Sequence, residues 1–378
     1  MEHLVNPQVK SIAISGIRRF FQLASQVEDV VSLTIGQPDF PTPEHVKEAA
    51  KRAIDDNFTV YTANAGMPEL RKAAADFVKE KYHLSYDPEK EVIVTVGATE
   101  AIDIAFRTLL SPGDEVLLPA PVYPGYEPLI RLCGARPVFI DTRPFRFKLT
   151  AEALERHLTG RTKCLVLSYP ANPTGVSYSR EELAAIARVI RGKNMVILAD
   201  EIYSEIVYGG PHVSIGEILR AQTVVINGLS KSHSMTGFRI GFLFAPEDLA
   251  KQMLKVHQYN VSCASSVSQR AAVEALTKGK DDPARMREEY KKRRDYVYKR
   301  LKEAGFETVL PDGAFYFFVK IPGNANSFDF CLNLVREHKV AVVPGSAFSP
   351  FGEGYFRLSY ASSMDVLKEG LDRLAGAR

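Results

Sequence analysis

The sequence predicts an α/β protein: a large domain built on a seven-stranded, mostly parallel sheet sandwiched by helices, with a smaller α+β domain beside it. Three observations predict this. Seven short apolar runs recur, at Val92–Val96, Glu115–Leu118, Pro137–Ile140, Cys164–Leu167, Met195–Ala199, Thr223–Ile226 and Ile240–Phe244. Most are apolar without alternation, the pattern of strands covered on both faces. Helical patterning such as Thr99–Leu110 and Arg180–Arg191 fills the intervals, and strand–helix alternation of this kind makes a doubly wound sheet. The length of 378 residues is that of about two domains.

Taken in order, the first 45 residues are rich in proline after Gly36 and are expected to pack with the smaller domain or to cross to another subunit. Residues 46–280 carry the strict alternation and form the large domain. Within them Ser179 precedes the helix at Arg180, and Glu182 follows three residues on, a capping box. Asp281-Asp282-Pro283 then opens a long charged helix from Ala284 to about Ala304, followed by strand-like runs at Ala314–Val319 and Val340–Val343 and a last helix near the C-terminus. Residues 1–45 and 281–378 are therefore assigned to the smaller domain.

Composition narrows the function. Nearly half the residues are hydrophobic (46%), and 48 Lys and Arg are set against 45 Asp and Glu, which excludes a disordered chain and argues against a nucleic-acid binder. No apolar run reaches the roughly 20 residues that cross a bilayer. The N-terminal stretch has neither a basic nor an apolar signal region, so a cytoplasmic protein is expected. Cys133, Cys164, Cys263 and Cys331 form no C-x-x-C pair and the eight histidines are scattered. The thiols are expected to act as small hydrophobes, with no metal.

Ligands of an α/β sheet collect at the carboxyl ends of its strands, and three such ends carry chemistry here. Val92–Val96 runs into Gly97-Ala98-Thr99-Glu100 and a helix, where small residues and free N–H groups suit an anion; it is also a common strand-to-helix turn. Met195–Ala199 ends at Asp200, followed by Glu201-Ile202-Tyr203; an acid there either meets a cation or caps a helix. Asn227-Gly228-Leu229-Ser230-Lys231 places an amine just past a buried strand, where desolvation favours the neutral, nucleophilic form. Arg239, eight residues on, offers a planar fork suited to phosphate. Together these are the groups that pyridoxal phosphate needs.

The blocks Ser230–Gly241, Tyr169-Pro170-x-Asn172-Pro173-Thr174-Gly175 and Asp200-Glu201-Ile202-Tyr203 make the whole chain resemble the class I aminotransferases, fold-type I enzymes of pyridoxal 5′-phosphate. The resemblance implies that Lys231 forms the Schiff base with the cofactor and moves the proton between Cα and C4′. Asp200 pairs with the pyridine nitrogen, Tyr203 and Asn172 bond the phenolic oxygen, and Tyr123 stacks on the ring or is a core aromatic. Gly97, Ala98 and Thr99, with Arg239 and Ser230, hold the phosphate; Gly228 stands where some relatives carry a phosphate-binding serine. Tyr61 reaches the phosphate of a neighbouring subunit, which implies a homodimer. Arg357 binds the substrate α-carboxylate, with Gly36 beside it and Asn172 near.

Within the family, Ile14–Arg18, Leu33–Phe40, Val256–Ser266 and Ser230–Gly237 are similar to the N-acetyl-L,L-diaminopimelate aminotransferases of bacilli. That similarity implies lysine and diaminopimelate biosynthesis through the acetylated branch, with 2-oxoglutarate and glutamate as the second pair. Thr99 stands where aspartate-using members tend to carry lysine, which lowers an aspartate reading. Arg18 or Arg19 either meets the far end of a long substrate or is a surface charge. The alternatives are an aromatic or broad-range aminotransferase and a carbon–sulfur lyase of the same fold.

Overall fold

The computed structural model describes residues 1–12 and 16–376. Its frame is a seven-stranded sheet of β1 (Val92–Val96), β2 (Glu115–Ala120), β3 (Arg136–Asp141), β4 (Thr162–Ser168), β5 (Val196–Asp200), β6 (Thr223–Gly228) and β7 (Ile240–Phe244), in the order β1-β7-β6-β5-β4-β2-β3. Only β7 is antiparallel to its neighbours. The continuous apolar runs follow from covering on both sides. Val94, Leu117, Leu165, Ile197 and Val225 face one core with the helices Pro68–Tyr82, Arg180–Ile190 and Ser266–Thr277. Ile93, Val116, Val166, Leu198 and Val224 face the other, with Gly97–Leu109 and Glu247–Val261. The capping box is present: Ser179 accepts from the Glu182 N–H while Glu182 accepts from the Ser179 N–H.

A separate apolar cluster joins Phe20 and Leu33 to Tyr316, Phe317, Phe356, Leu358 and the helices Pro283–Glu303 and Met364–Ala375. Its three-stranded antiparallel sheet has Tyr355–Ser359 between Val343–Pro344 and Tyr316–Lys320. The run Val340–Val343, expected as one strand, is divided. Val340–Ala341 pairs in parallel with Val31–Ser32, and Val343–Pro344 pairs with Phe356 and Arg357. Both halves are buried, so apolar continuity marked the burial but not the change of partner. Ile14 and Ser15 of the similarity block Ile14–Arg18 lie outside the described residues, as do the side chains of Arg18 and Arg19.

The register brings Ser168 beside Asp200, and Gly228 and Thr95 beside Gly241, so the ends of β1, β4, β5 and β6 open onto one place at the start of β7. Gly241 sets how close they come. A Cβ on it would lie 2.5 Å from the Ala98 nitrogen and closer still to the Gly97 carbonyl carbon. The backbone of the helix that begins at Gly97 therefore rests directly on β7. Gly241→Ala is expected to lower stability by roughly 1–3 kcal/mol, the usual cost of forcing atoms into a packed interior. Urea unfolding of the cofactor-free protein measures it, and an unchanged midpoint would show that the helix shifts freely.

Candidate active site

The strand ends and the smaller sheet enclose a cavity of about 580 Å³. Lys231 enters it from the short helix Leu229–Ser232 that follows β6, and its Nζ donates to the Gly36 carbonyl at 2.6 Å. Burial lowers the Lys231 amine to about 8, the nearby Arg357 and Arg239 cations press the same way, and Asp200 opposes them. Asp200, the last residue of β5, is buried; Oδ2 accepts the Tyr126 hydroxyl at 2.5 Å and Oδ1 the Ile202 N–H at 3.2 Å. Burial raises its carboxyl above the usual range, while those two donors hold it back.

Tyr203 lies close to the amine, with Lys231 Nζ 5.9 Å from its ring centroid, and its hydroxyl shares a 2.8 Å hydrogen bond with that of Tyr316. Burial pushes the Tyr203 phenol well up, so it stays protonated and able to donate. Tyr123 lines the cavity and meets Tyr126 edge-on at 5.4 Å.

The anion end is made by the start of the helix Gly97–Leu109, whose first N–H groups have no partner within the helix. Ala98, Thr99, Ser230 and Arg239 line it. Gly97, at φ +73°, lies under the Arg239 guanidinium, and a Cβ there would be 2.6 Å from Nη2, so glycine is what lets the arginine cross the helix end. Glu100 ties this end down, accepting the Val96 N–H at 2.6 Å and bonding His257 Nδ1 at 2.7 Å.

Arg357 is 4% exposed. Its Nη1 donates to Asn172 Oδ1 at 3.0 Å and its Nη2 to the Thr34 carbonyl at 2.6 Å, with Tyr316 and Phe348 against its faces at 4.4 and 5.1 Å. Its Nε has no acceptor, and no carboxylate pairs with it among the described residues. A buried cation without an anion is costly.

The structure thus brings together Gly36, Ala98, Thr99, Tyr123, Asn172, Asp200, Tyr203, Ser230, Lys231, Arg239 and Arg357. Gly97 sits behind Arg239 rather than on the cavity wall. Tyr61 is 87% exposed and lies outside the cavity of its own chain. Sequence reasoning gave no role to Tyr126, Tyr316 or the Thr34 carbonyl. The letter Tyr does not tell a hydroxyl aimed at a buried acid from a packing ring, and a backbone oxygen leaves no mark in sequence.

A desolvated amine beside an anion-holding helix end is an arrangement for an aldehyde that carries a phosphate, and this frame is that of the fold-type I enzymes of pyridoxal 5′-phosphate. Residues 28–374 match the model of the family "Aminotransferase class I and II"; the chain belongs to this family and is a pyridoxal-phosphate-dependent aminotransferase. A probable N-acetyl-LL-diaminopimelate aminotransferase of Bacillus subtilis (strain 168) is 62% identical over 375 residues, 99% of this chain and 95% of that protein. The structure of Thermus thermophilus aspartate aminotransferase with maleate matches at a TM-score of 0.94, with 37% identity over 99% of each chain. An aromatic aminotransferase from Pyrococcus horikoshii OT3 matches at a TM-score of 0.90 and 38% identity, covering 94% of this chain and 98% of that one.

The lowered lysine has a measurable cost. The unfolded chain binds a proton at Lys231 up to about its ordinary 10.5 and the folded, cofactor-free chain only to about 8. The unfolded state therefore holds more protons between these values, and stability rises with pH across that window. Lys231→Met is expected to melt higher than the parent by about 2–4 °C at pH 7. The gap should narrow from pH 8 upward and close above 10.5, where the amine is neutral in both states. Scanning calorimetry of the cofactor-free proteins reads it, and a gap that does not change with pH would place the amine in solvent.

Proposed function

We propose that this aminotransferase exchanges an amino group between N-acetyl-L,L-diaminopimelate and the 2-oxoglutarate/glutamate pair, in the acetylated branch of diaminopimelate and lysine synthesis. The 62% identity to the Bacillus subtilis protein, over nearly the full chain, supports this substrate. The buried Arg357 with its free Nε is the observation that carries the site reading: it receives the α-carboxylate common to every amino acid and 2-oxo acid substrate. Asn172 and the Thr34 carbonyl hold the guanidinium in place for it.

When bound, pyridoxal 5′-phosphate supplies an electron sink for the charge left at Cα. The helix end at Gly97, Ala98 and Thr99, with Arg239 and Ser230, binds the phosphate. Asp200 holds the proton at the pyridine nitrogen. Tyr203 and Asn172 hydrogen-bond the phenolic oxygen, and Tyr123 orients the ring by stacking on it. Lys231, whose amine burial lowers to about 8, would be the group that moves the proton between the substrate Cα and C4′.

Tyr61, exposed beside the exposed Val60, completes the phosphate site of a second copy, so the working form is a homodimer. The four free thiols suit a reducing cytoplasm. Residues 46–280 act as the cofactor-binding unit, and the remaining segments close the carboxylate end.

The test is a half-reaction screen that follows the change in cofactor absorbance with each amino donor. N-acetyl-L,L-diaminopimelate and glutamate are expected to react fastest. A preference for an aromatic amino acid would establish the aromatic or broad-range reading instead. Turnover without a 2-oxo acid would mark a carbon–sulfur lyase.

A second prediction concerns Arg357. Lysine lacks the bidentate fork, so Arg357→Lys should lower kcat/KM about ten- to a hundredfold for every substrate alike. A loss confined to one substrate would move α-carboxylate recognition elsewhere.

A further inference from the structure

We propose that Tyr126 is a positioning residue for the reaction: its hydroxyl holds the Asp200 carboxylate ionised and aimed, so that the proton stays on the ring nitrogen. The proposal rests on the reading of Asp200 as that nitrogen's partner.

The geometry is specific. Tyr126 is the first residue of the helix Tyr126–Leu132 and is fully buried. Its hydroxyl donates to Asp200 Oδ2 at 2.5 Å, while the other carboxylate oxygen takes the Ile202 N–H at 3.2 Å. Each oxygen therefore has one donor. The Tyr126 ring stands edge-on to Tyr123 at 5.4 Å, so one side chain braces both the acid and the aromatic wall of the cavity.

The groups that act on Asp200 divide into two sets. Burial and Glu201 favour its protonated form; Tyr126, the Ile202 N–H and Lys231 favour the carboxylate. A protonated Asp200 could not accept the N–H of a pyridinium. Charge-assisted O–H···O⁻ bonds of this length are the strong ones, and Tyr126 supplies the side-chain donor among the opposing set. A phenol that only filled the core could have met a neutral carbonyl; this one is spent on the single carboxylate that the ring nitrogen needs.

The experiment reconstitutes the wild type, Tyr126→Phe and Asp200→Asn with pyridoxal phosphate labelled with ¹⁵N in the ring. The ratio of protonated to neutral ring nitrogen at pH 7 is then read by NMR from the ¹⁵N shift. Tyr126→Phe is expected to lower that ratio about tenfold or more, the worth of one hydrogen bond to a charged group, as the proton passes to Asp200. Asp200→Asn should lower it further. In steady state with glutamate, Tyr126→Phe should lose about tenfold in kcat with KM within about twofold.

If Asp200→Asn lowers the ratio and Tyr126→Phe does not, Tyr126 is structural only and the proposal falls while the reading of Asp200 stands. If neither moves it, the reading of Asp200 falls as well. Should the phenylalanine variant fail to fold, 3,5-difluorotyrosine at position 126 keeps the ring size with a stronger donor. It should hold the ratio at or above that of the wild type, and a ratio lowered toward that of Asp200→Asn would overturn the proposal.

Discussion

Desolvation governs this molecule. An amine, a carboxylate and a guanidinium are held in one enclosed space, each away from the water that would favour its charge. Burial is the largest influence on all three, and it acts on them in opposite senses. The acid is pushed toward its neutral form and the amine toward its nucleophilic form. The arginine is left charged but unpaired. None of these states is comfortable in a cofactor-free chain. The site is thus a set of unmet electrostatic needs, kept in place by a frame that does not relax to meet them internally.

That frame is rigid because the sheet is covered on both faces and because glycine is used where two backbones touch. The Gly97 and Gly241 pair lets a helix end lie on the one reversed strand, and Gly97 leaves Arg239 room above it. Polar ties hold the rim: Glu100 links the helix start to His257, whose Nε2 bonds the Asn64 carbonyl near the exposed Tyr61. The anion end and the segment that bears Tyr61 are therefore parts of one hydrogen-bonded unit.

Much of this was legible in the sequence, and the reasons are physical. Two-sided burial writes continuous apolar runs, so all seven sheet strands were readable, Val92–Val96 and Ile240–Phe244 to the residue. Capping chemistry is local, so Ser179 and Glu182 announced the helix they start. What failed was pairing and role within the core. Val340–Val343 reads as one strand because apolar character does not record which neighbour a residue meets. Tyr126 and Tyr316 look like packing aromatics because a hydroxyl aimed at a buried acid or phenol has the same letter as one aimed at water. Thr34 contributes through its carbonyl, which every residue type carries.

The order of strands in the sheet has a consequence for synthesis. β1 lies at the edge and its one strand partner is β7, about 140 residues further along the chain. While a ribosome extends the polypeptide, the strand that launches the anion-holding helix waits without a neighbour until Ile240–Phe244 emerges. The buried guanidinium at the carboxylate-free end of the cavity comes later still, at residue 357 of 378. Long-range pairing of this kind folds late and leaves apolar edges uncovered meanwhile. The nascent chain therefore carries its aggregation-prone interval before it holds any part of a finished site, and a product truncated before Ile240 is an open-edged sheet.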